Sequence, residues 1–254
     1  MHTIKEFVKL ELDKLKNEVE NLERKPSLTI IKNNSDQASD SYVKGKLKDS
    51  EYIGINTQLI NTTEVSSTIS KDTSDALILQ LPCDNFKPEY IELIPDYKDV
   101  DGFKTSSDFE PCTPLGIILY LNSIEFDYES KNAVVIGRSD IVGKPIAKML
   151  LDRNMNVTIL HSKTKDEDKL NYIKNADLIV IATGKINTLK REYLYKKSCI
   201  VIDVGINRND LGQLVGDCER NLPVNLQTPV PGGVGLLTRL ALMKNVVKAA
   251  KNKI

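Results

Sequence analysis

"AVVIGRSDIVGKP", residues 133–145, decides how this chain is read. An apolar, β-branched run ends in Gly137, a second glycine follows at Gly143, and Pro145 stands just beyond it. Such a run reads as a strand, the first glycine as a sharp turn, and the proline as part of a helix's first turn, where a missing N–H is harmless. Three more runs share the character of the first: "NVTIL" (156–160), "DLIVIAT" (177–183) and "CIVIDVG" (199–205). Strands this continuously apolar are buried on both faces, as in parallel sheets. The stretches "GKPIAKMLLDR" (143–153) and "DEDKLNYIKNA" (166–176) lie between the first three and carry helical patterns. The alternation predicts a doubly wound α/β domain.

Upstream, Ile4, Val8, Leu12, Leu15, Val19 and Leu22 recur at helical spacing and predict an amphipathic helix. "SLTIIK" (27–32) predicts a strand, and "NNSDQASD" (33–40) a polar loop. A second helix is expected over "SDSYVKGKLKDSEYI" (39–53), capped by Ser39 or Asp40. "ALILQLP" (76–82) reads as a buried strand, and "PCTPLGIILYL" (111–121) as a turn followed by a helix. "LLTRLALMKNVVKAAKNKI" (236–254) reads as a last helix.

Composition narrows the function. Over 254 residues, 35 Lys+Arg balance 35 Asp+Glu, which gives no general attraction to nucleic acid or to an anionic membrane. Cys83, Cys112, Cys199 and Cys218 form no CxxC pair and only two histidines are present, so no metal site is expected and the thiols are taken as reduced, in a cytoplasmic protein. The first residues are too charged for a signal peptide, and no run approaches the ~20 apolar residues of a membrane span.

A glycine turn leading from a strand into a helix suits a pyrophosphate: the backbone approaches closely and the helix start offers free N–H groups. The familiar dinucleotide pattern is G-x-G-x-x-G, and here Ser139 stands at its middle glycine. Dinucleotide folds that prefer NAD place an acid at the tip of the next strand. Here that tip reads His161, Ser162, Lys163, with Asp166 only later, and Arg138 adds a cation within the loop. A hydroxyl and two cations suit the 2′-phosphate of NADP, although Lys163 alone also reads as a solvated surface lysine.

Together "SYVKGK" (41–46), "LQLP" (79–82), "KDVDGF" (98–103), "PCTPLG" (111–116), "VVIGRSDIVGKP" (134–145), "HSKT" (161–164), "VIDVGIN" (201–207), "VGD" (215–217) and "TPVPGGVG" (228–235) resemble the bifunctional methylenetetrahydrofolate dehydrogenase/methenyltetrahydrofolate cyclohydrolases. They occur in family order from about residue 27 onward. The resemblance implies an N-terminal α/β catalytic domain (1–120, completed by 236–254), a Rossmann-type doubly wound NADP-binding domain (121–235), and an active-site cleft between them. It implies oxidation of 5,10-methylenetetrahydrofolate by NADP⁺ and hydrolysis of the methenyl product to 10-formyltetrahydrofolate. It further implies a place in one-carbon metabolism and purine biosynthesis, and a homodimer with no nucleic-acid or membrane partner.

The resemblance also assigns residues. Lys46 matches the catalytic lysine, four positions after Tyr42, so on a helix both share a face. Tyr42 would stack on the folate, Gln80 would pair with Lys46, and Asp101 would grip the pterin's amino-pyrimidine edge with two parallel hydrogen bonds. Cofactor contacts would come from Gly137, Arg138, Ser139, Ile141, Val142, Gly143, His161, Ser162, Lys163, Thr183 and Ile206, and substrate contacts also from Pro231, Gly232 and Gly233. A cis peptide at Val230–Pro231 is compatible with that last segment.

Taken without the resemblance, each of these has a plainer reading. Lys46 belongs to a charged helix face, Gln80 could be a structural amide, Tyr42 a core residue, and Asp101 part of an Asx turn. Three segments run shorter than the family pattern: the stretch after "ISKDT" (69–73), "KTSSDFE" (104–110) and "CERNLPVNLQ" (218–227). Leu236 stands where a proline is usual. The alternatives are therefore a monofunctional dehydrogenase on a folate or another pterin, and a noncatalytic NADP-binding scaffold.

Overall fold

The apolar residues at helical spacing form α1 (Ile4–Glu20), with Ile4, Val8, Leu12, Leu15 and Val19 all buried. The structure, a computed structural model, describes residues 3–252. It resolves into two units: Glu6–Cys112 with Arg239 onward, and Thr113–Thr238 with the chain's start through Lys5. The expected boundaries stood at 120/121 and 235/236, the first eight residues later than here and the second three residues earlier.

In the first unit, β1 (Ser27–Lys32) leads to α2 (Gln37–Ile53). The cap of α2 is Asp36, not Ser39 or Asp40. Asp36 is extended and its carboxylate accepts the Ser39 N–H at 2.8 Å, which places Ser39 and Asp40 inside the first turn. The helix closes at Gly54, whose φ of 88° is in the left-handed region. A strand absent from the sequence reading, β2 (Asn56–Asn61), follows, then α3 (Val65–Lys71), β3 (Ala76–Gln80) and the single turn α4 (Glu89–Glu92). The sheet order is β2-β1-β3, all parallel, with Leu28 opposite Thr57 on one side and Ala76 on the other. As the central strand, β1 is apolar on both faces. As an edge, β2 carries polar residues, and this hid it.

The second unit begins with α5 (Cys112–Ser123). The turn expected at "PCTP" is already helical, because Pro114 sits among the first residues, whose N–H groups have no helical acceptor. Then come β4 (Asn132–Ile136), α6 (Gly143–Leu151), β5 (Asn156–Leu160), α7 (Asp166–Asn175), β6 (Leu178–Ile181), β7 (Ile200–Asp203), the hairpin β8 (Asn207–Arg208) and β9 (Leu214–Val215), and β10 (Leu226–Gln227). The last helix, α8 (Val234–Lys251), starts two residues before the expected Leu236. The end of the expected helix, 253–254, lies outside the described residues.

The five-stranded sheet is parallel, in the order β10-β7-β6-β4-β5. Every residue of β6 and β7 is buried, as the continuous apolar runs require. "NVTIL" is the exception: β5 is the sheet edge, and Ile159 is 39 % exposed. Val134, Ile136, Ile179, Ile181 and Val201 pack with Ile173 of α7 in one core, each such side chain contributing about 1.5–3 kcal/mol by leaving water. From β4 the chain goes outward to β5 and then crosses to β6 on the other flank. The connections after β4 and β6 therefore diverge at the carboxyl edge, the place where open α/β sheets bind ligands. All four cysteines are buried and unbonded. Among the described residues no helix is long and apolar enough to cross a membrane, and no cluster of His, Cys, Asp or Glu is arranged for a metal ion.

Candidate active site

Tyr42 and Lys46 stand one helical turn apart on α2, the tyrosine half-buried and the lysine 6 % exposed. Burial pushes the Tyr42 hydroxyl up from its ordinary value, against the pull of the nearby Arg239 charge. Lys46 Nζ lies 3.8 Å from an Asp101 carboxylate oxygen. Asp101 follows the 3-10 turn at Asp96–Lys98 and is itself buried. Its carbonyl accepts the Cys112 N–H at 3.2 Å, which fastens the "DVDG" turn to the first residue of α5. The Cys112 thiol donates to Val100 O at 3.1 Å, and Asn245 of α8 donates to the same carbonyl at 2.9 Å. Burial, then the Asp101 charge, pushes this thiol far above its ordinary range, so it is a packed donor and not a thiolate.

Gln80 does not pair with Lys46 as expected. Its Nε2 donates instead to Leu81 O at 2.6 Å, and its buried Oε1 has no partner. The neighbouring carbonyl captures the amide's donor end, and the amine's partner is a carboxylate. An unpartnered buried amide oxygen is unfavourable by about 1–3 kcal/mol, and it leaves an acceptor open there. A buried amine, a carboxylate and an open acceptor, all in one unit, form a set able to hold a polar ring and to move a proton to or from a water.

In the other unit, the sheet's carboxyl edge collects the residues assigned to the cofactor. Gly137 (φ 126°) follows β4, and a Cβ there would meet Ala182 O at 2.3 Å. A Cβ on Gly143 would meet Gly137 O at 2.4 Å, so both glycines are required by the close packing of strand, turn and helix. Ser139 Oγ accepts the N–H groups of Val142 and Gly143, each at 3.3 Å, at the entry to α6. Arg138, Ser139 and Ile141 are exposed at the turn, with Val142 half-buried. After β5, His161 Nδ1 accepts the Lys163 N–H at 3.2 Å, while Ser162 and Lys163 face solvent. Thr183 follows β6, and Ile206, 48 % exposed, follows β7. The tip after β5 carries no acid before α7, so this donor set fits a phosphate-bearing dinucleotide. In "TPVPGGVG", the Val230–Pro231 peptide is cis, Gly232 has φ 94°, and a Cβ on Gly233 would meet Pro229 O at 2.2 Å.

Sequence reasoning missed three features. Asp203 and Asp217 are buried acids linking the loops after β6 and β7. Their motifs, "VIDVGIN" and "VGD", were visible, but only Ile206 among them was given a role, and neither acid was. Arg239 of α8 pairs with Asp49 of α2 at 2.8 Å, directly over Gly45. A cavity of about 830 Å³ is bordered by Asp203, Gly216, Cys218, Thr228 and Val230, next to the assigned residues but including none of them.

Comparison with known proteins also divides the chain after about residue 101, although the second match runs on through the last helix. Residues 2–101 match the family described as tetrahydrofolate dehydrogenase/cyclohydrolase, catalytic domain, and residues 111–254 its NAD(P)-binding domain. A Campylobacter hominis protein named bifunctional protein FolD is 40 % identical over 95 % of this chain and 94 % of its own. The crystal structure of the bifunctional FolD dehydrogenase/cyclohydrolase of Campylobacter jejuni superposes with a TM-score of 0.93 at 36 % identity, covering 99 % of this chain and 98 % of that one. A Trypanosoma brucei structure of the same kind, solved with NADP and an inhibitor, gives 0.92 at 26 % identity, covering 100 % of this chain and 97 % of that one.

Proposed function

Because the chain belongs to the tetrahydrofolate dehydrogenase/cyclohydrolase family, we propose that it uses the residues above to oxidise 5,10-methylenetetrahydrofolate with NADP⁺ and to hydrolyse the methenyl product to 10-formyltetrahydrofolate. The single observation that carries the residue assignment is the buried Lys46 amine beside Asp101, inside the unit that matches the catalytic domain.

The bound dinucleotide supplies the oxidising power, and the chain's residues do the rest. Arg138, Ser162 and Lys163 would receive the adenosine end with its 2′-phosphate, and Thr183 and Ile206 would border the nicotinamide end. Tyr42 stacks on the folate. Asp101 holds the pterin's amino-pyrimidine edge, and the free Gln80 oxygen accepts a further donor. Lys46 takes a proton from the water that adds to the methenyl carbon and delivers one to the departing nitrogen. Survival of Tyr42, Lys46, Gln80 and Asp101 in one unit favours this over a noncatalytic scaffold. We further take the protein to be a cytoplasmic homodimer.

Supplying methylenetetrahydrofolate and NADP⁺ and following the methenyl chromophore tests the reading. Its appearance and decay support both activities, persistence leaves only oxidation, and no appearance leaves the scaffold. In Lys46→Met, cyclohydrolase turnover is expected to fall by about 100-fold or more, with NADP⁺ affinity kept. Undiminished hydrolysis in that variant would remove Lys46 from the role.

A further inference from the structure

Two buried acids stand at the carboxyl edge of the five-stranded sheet with no cation paired to either among the described residues: Asp203 is 2 % exposed and Asp217 fully buried. Each is surrounded by donors from the loops. Asp203 accepts the N–H groups of Gly205, Asp217 and Cys218 at 3.0, 2.9 and 2.9 Å. Asp217 accepts the Thr183 N–H at 2.6 Å, the Thr183 hydroxyl at 2.9 Å, the Gly184 N–H at 3.0 Å and the Asn207 side-chain amide at 2.8 Å.

The two acids also interlock through glycines. A Cβ on Gly205 would lie 2.1 Å from Asp217 Oδ1, and one on Gly216 2.0 Å from Asp203 Oδ2. The short sequences "DVG" (203–205) and "GD" (216–217) are therefore a reciprocal fit, each acid filling the space that the other segment's glycine leaves. The result is a rigid knot joining the loop after β6, the turn after β7 and the start of the segment beyond β9.

The sheet order says which part of a ligand meets this knot. The glycine turn follows β4 and the phosphate-reading tip follows β5, on one flank. Thr183 and Ile206 follow β6 and β7, on the other. A dinucleotide whose pyrophosphate lies over the glycine turn and whose 2′-phosphate lies toward β5 brings its nicotinamide toward β6 and β7. We propose that Asp217 is the positioning residue of the nicotinamide end: it touches no ligand, but through its bonds to Thr183, Gly184 and Asn207 it holds the Thr183 and Ile206 contacts in their ligand-ready places. Backbone donors held in advance spare the ligand the ordering of two loops. The inference rests on the cofactor reading above and adds the residue that sets up half of that site.

The test compares NADP⁺ with 2′,5′-ADP, which carries the adenosine phosphates and lacks the nicotinamide. Both are titrated calorimetrically into the full chain. In Asp217→Asn, which keeps the shape but turns an amide donor against donors, NADP⁺ is expected to bind about tenfold more weakly, the equivalent of one lost buried hydrogen bond. Binding of 2′,5′-ADP is expected to stay within about twofold. Should Asp217→Asn fail to fold, Asn207→Ala removes one of the four bonds and is expected to weaken NADP⁺ by about threefold, again without effect on the fragment. Equal weakening of both ligands would mean general destabilisation of the unit, and no weakening of NADP⁺ would mean that the loops need no holding; either result overturns the proposal. Arg138→Ala is the control for the other end, expected to weaken both ligands. If the unaltered protein binds neither ligand, the cofactor reading itself fails, a result distinct from any behaviour of the variants.

Discussion

Asp72 and Asp75 in the three-stranded unit are buried against cations, whereas Asp203 and Asp217 in the five-stranded unit are buried against the backbone. Lys98 Nζ reaches the Asp72 carboxylate at 2.7 Å, and Arg24 grips Asp75 with two bonds at 2.7 and 2.9 Å. Asp203 and Asp217 receive seven hydrogen bonds instead, five of them from backbone N–H groups. A cation on a long side chain neutralises an acid and leaves the surrounding chain free to adjust. Backbone donors make the acid part of the chain's path, so moving the acid moves the loops. The first arrangement supports a sheet, and the second supports loops that must hold a ligand.

The largest expected effect tests how rigid the backbone-held acids are. In Gly216→Ala the new methyl would lie 2.0 Å from Asp203 Oδ2, an atom fixed by the Cys218 N–H. Overpacking together with broken buried hydrogen bonds is expected to destabilise the protein by about 3–5 kcal/mol in urea unfolding. A loss under about 1 kcal/mol would show that the loops yield easily and would erase the contrast.

Acid comes next, because the two kinds of site titrate in opposite senses. Burial raises the Asp75 carboxyl, but the bonds from Arg24 and from the Ser27 hydroxyl and N–H, with the Arg24 charge, outweigh it and bring it from 3.8 down to about 2. A folded value below the unfolded one gives stability that is complete above about pH 4 and lost as the pH falls toward 2. For Asp203 burial wins over the bonds from Asp217, Cys218 and Gly205, and its carboxyl stays above its ordinary value. Its stabilising share is present below the unfolded value near pH 4 and lost as the pH rises through the folded one. Arg24→Met should thus lower stability at pH 6 by on the order of 1–2 kcal/mol, reduced because the Arg24 side chain is 45 % exposed, and the difference from the unaltered chain should shrink as the pH falls from 4 to 2. Curves that stay parallel down to pH 2 would show that the pair contributes nothing through Asp75's titration.

The sequence showed some of this and hid the rest, for identifiable reasons. β4, β6 and β7 were legible because strands covered on both faces have no polar residue to interrupt the run. β2 was not, since an edge strand reading "NTQLIN" looks like a loop. The helical spacing of Tyr42 and Lys46 was visible from the residues, and their chemistry came from the resemblance. That Lys46 faces Asp101 while Gln80 turns to Leu81 O depends on which acceptor a single amide N–H reaches, which no pattern of residue types encodes. The Asp203–Asp217 knot was hidden for a related reason: its donors are mostly peptide N–H groups, identical at nearly every position, brought from loops 14 and 34 residues away.

The smallest expected effect is the most discriminating, because it repeats the first distance with a different partner. A Cβ on Gly45 would stand 2.0 Å from Arg239 Nη1, as close as the Gly216 Cβ would stand to Asp203. Here the obstacle is the far end of a flexible side chain, tied to Asp49 at 2.8 Å and 22 % exposed. The guanidinium's far end can turn aside, but Asp49 is buried and so is the Nε facing it, so loosening the pair costs about 1–3 kcal/mol. Replacing a mid-helix glycine by alanine returns about 0.5–1 kcal/mol. Gly45→Ala is therefore expected to cost no more than about 2 kcal/mol, less than Gly216→Ala measured under the same conditions. Equal losses in the two variants would mean that a cation's tip resists displacement as firmly as a backbone-bound carboxylate does, and the distinction between the two units would no longer explain which loops are built to stay still.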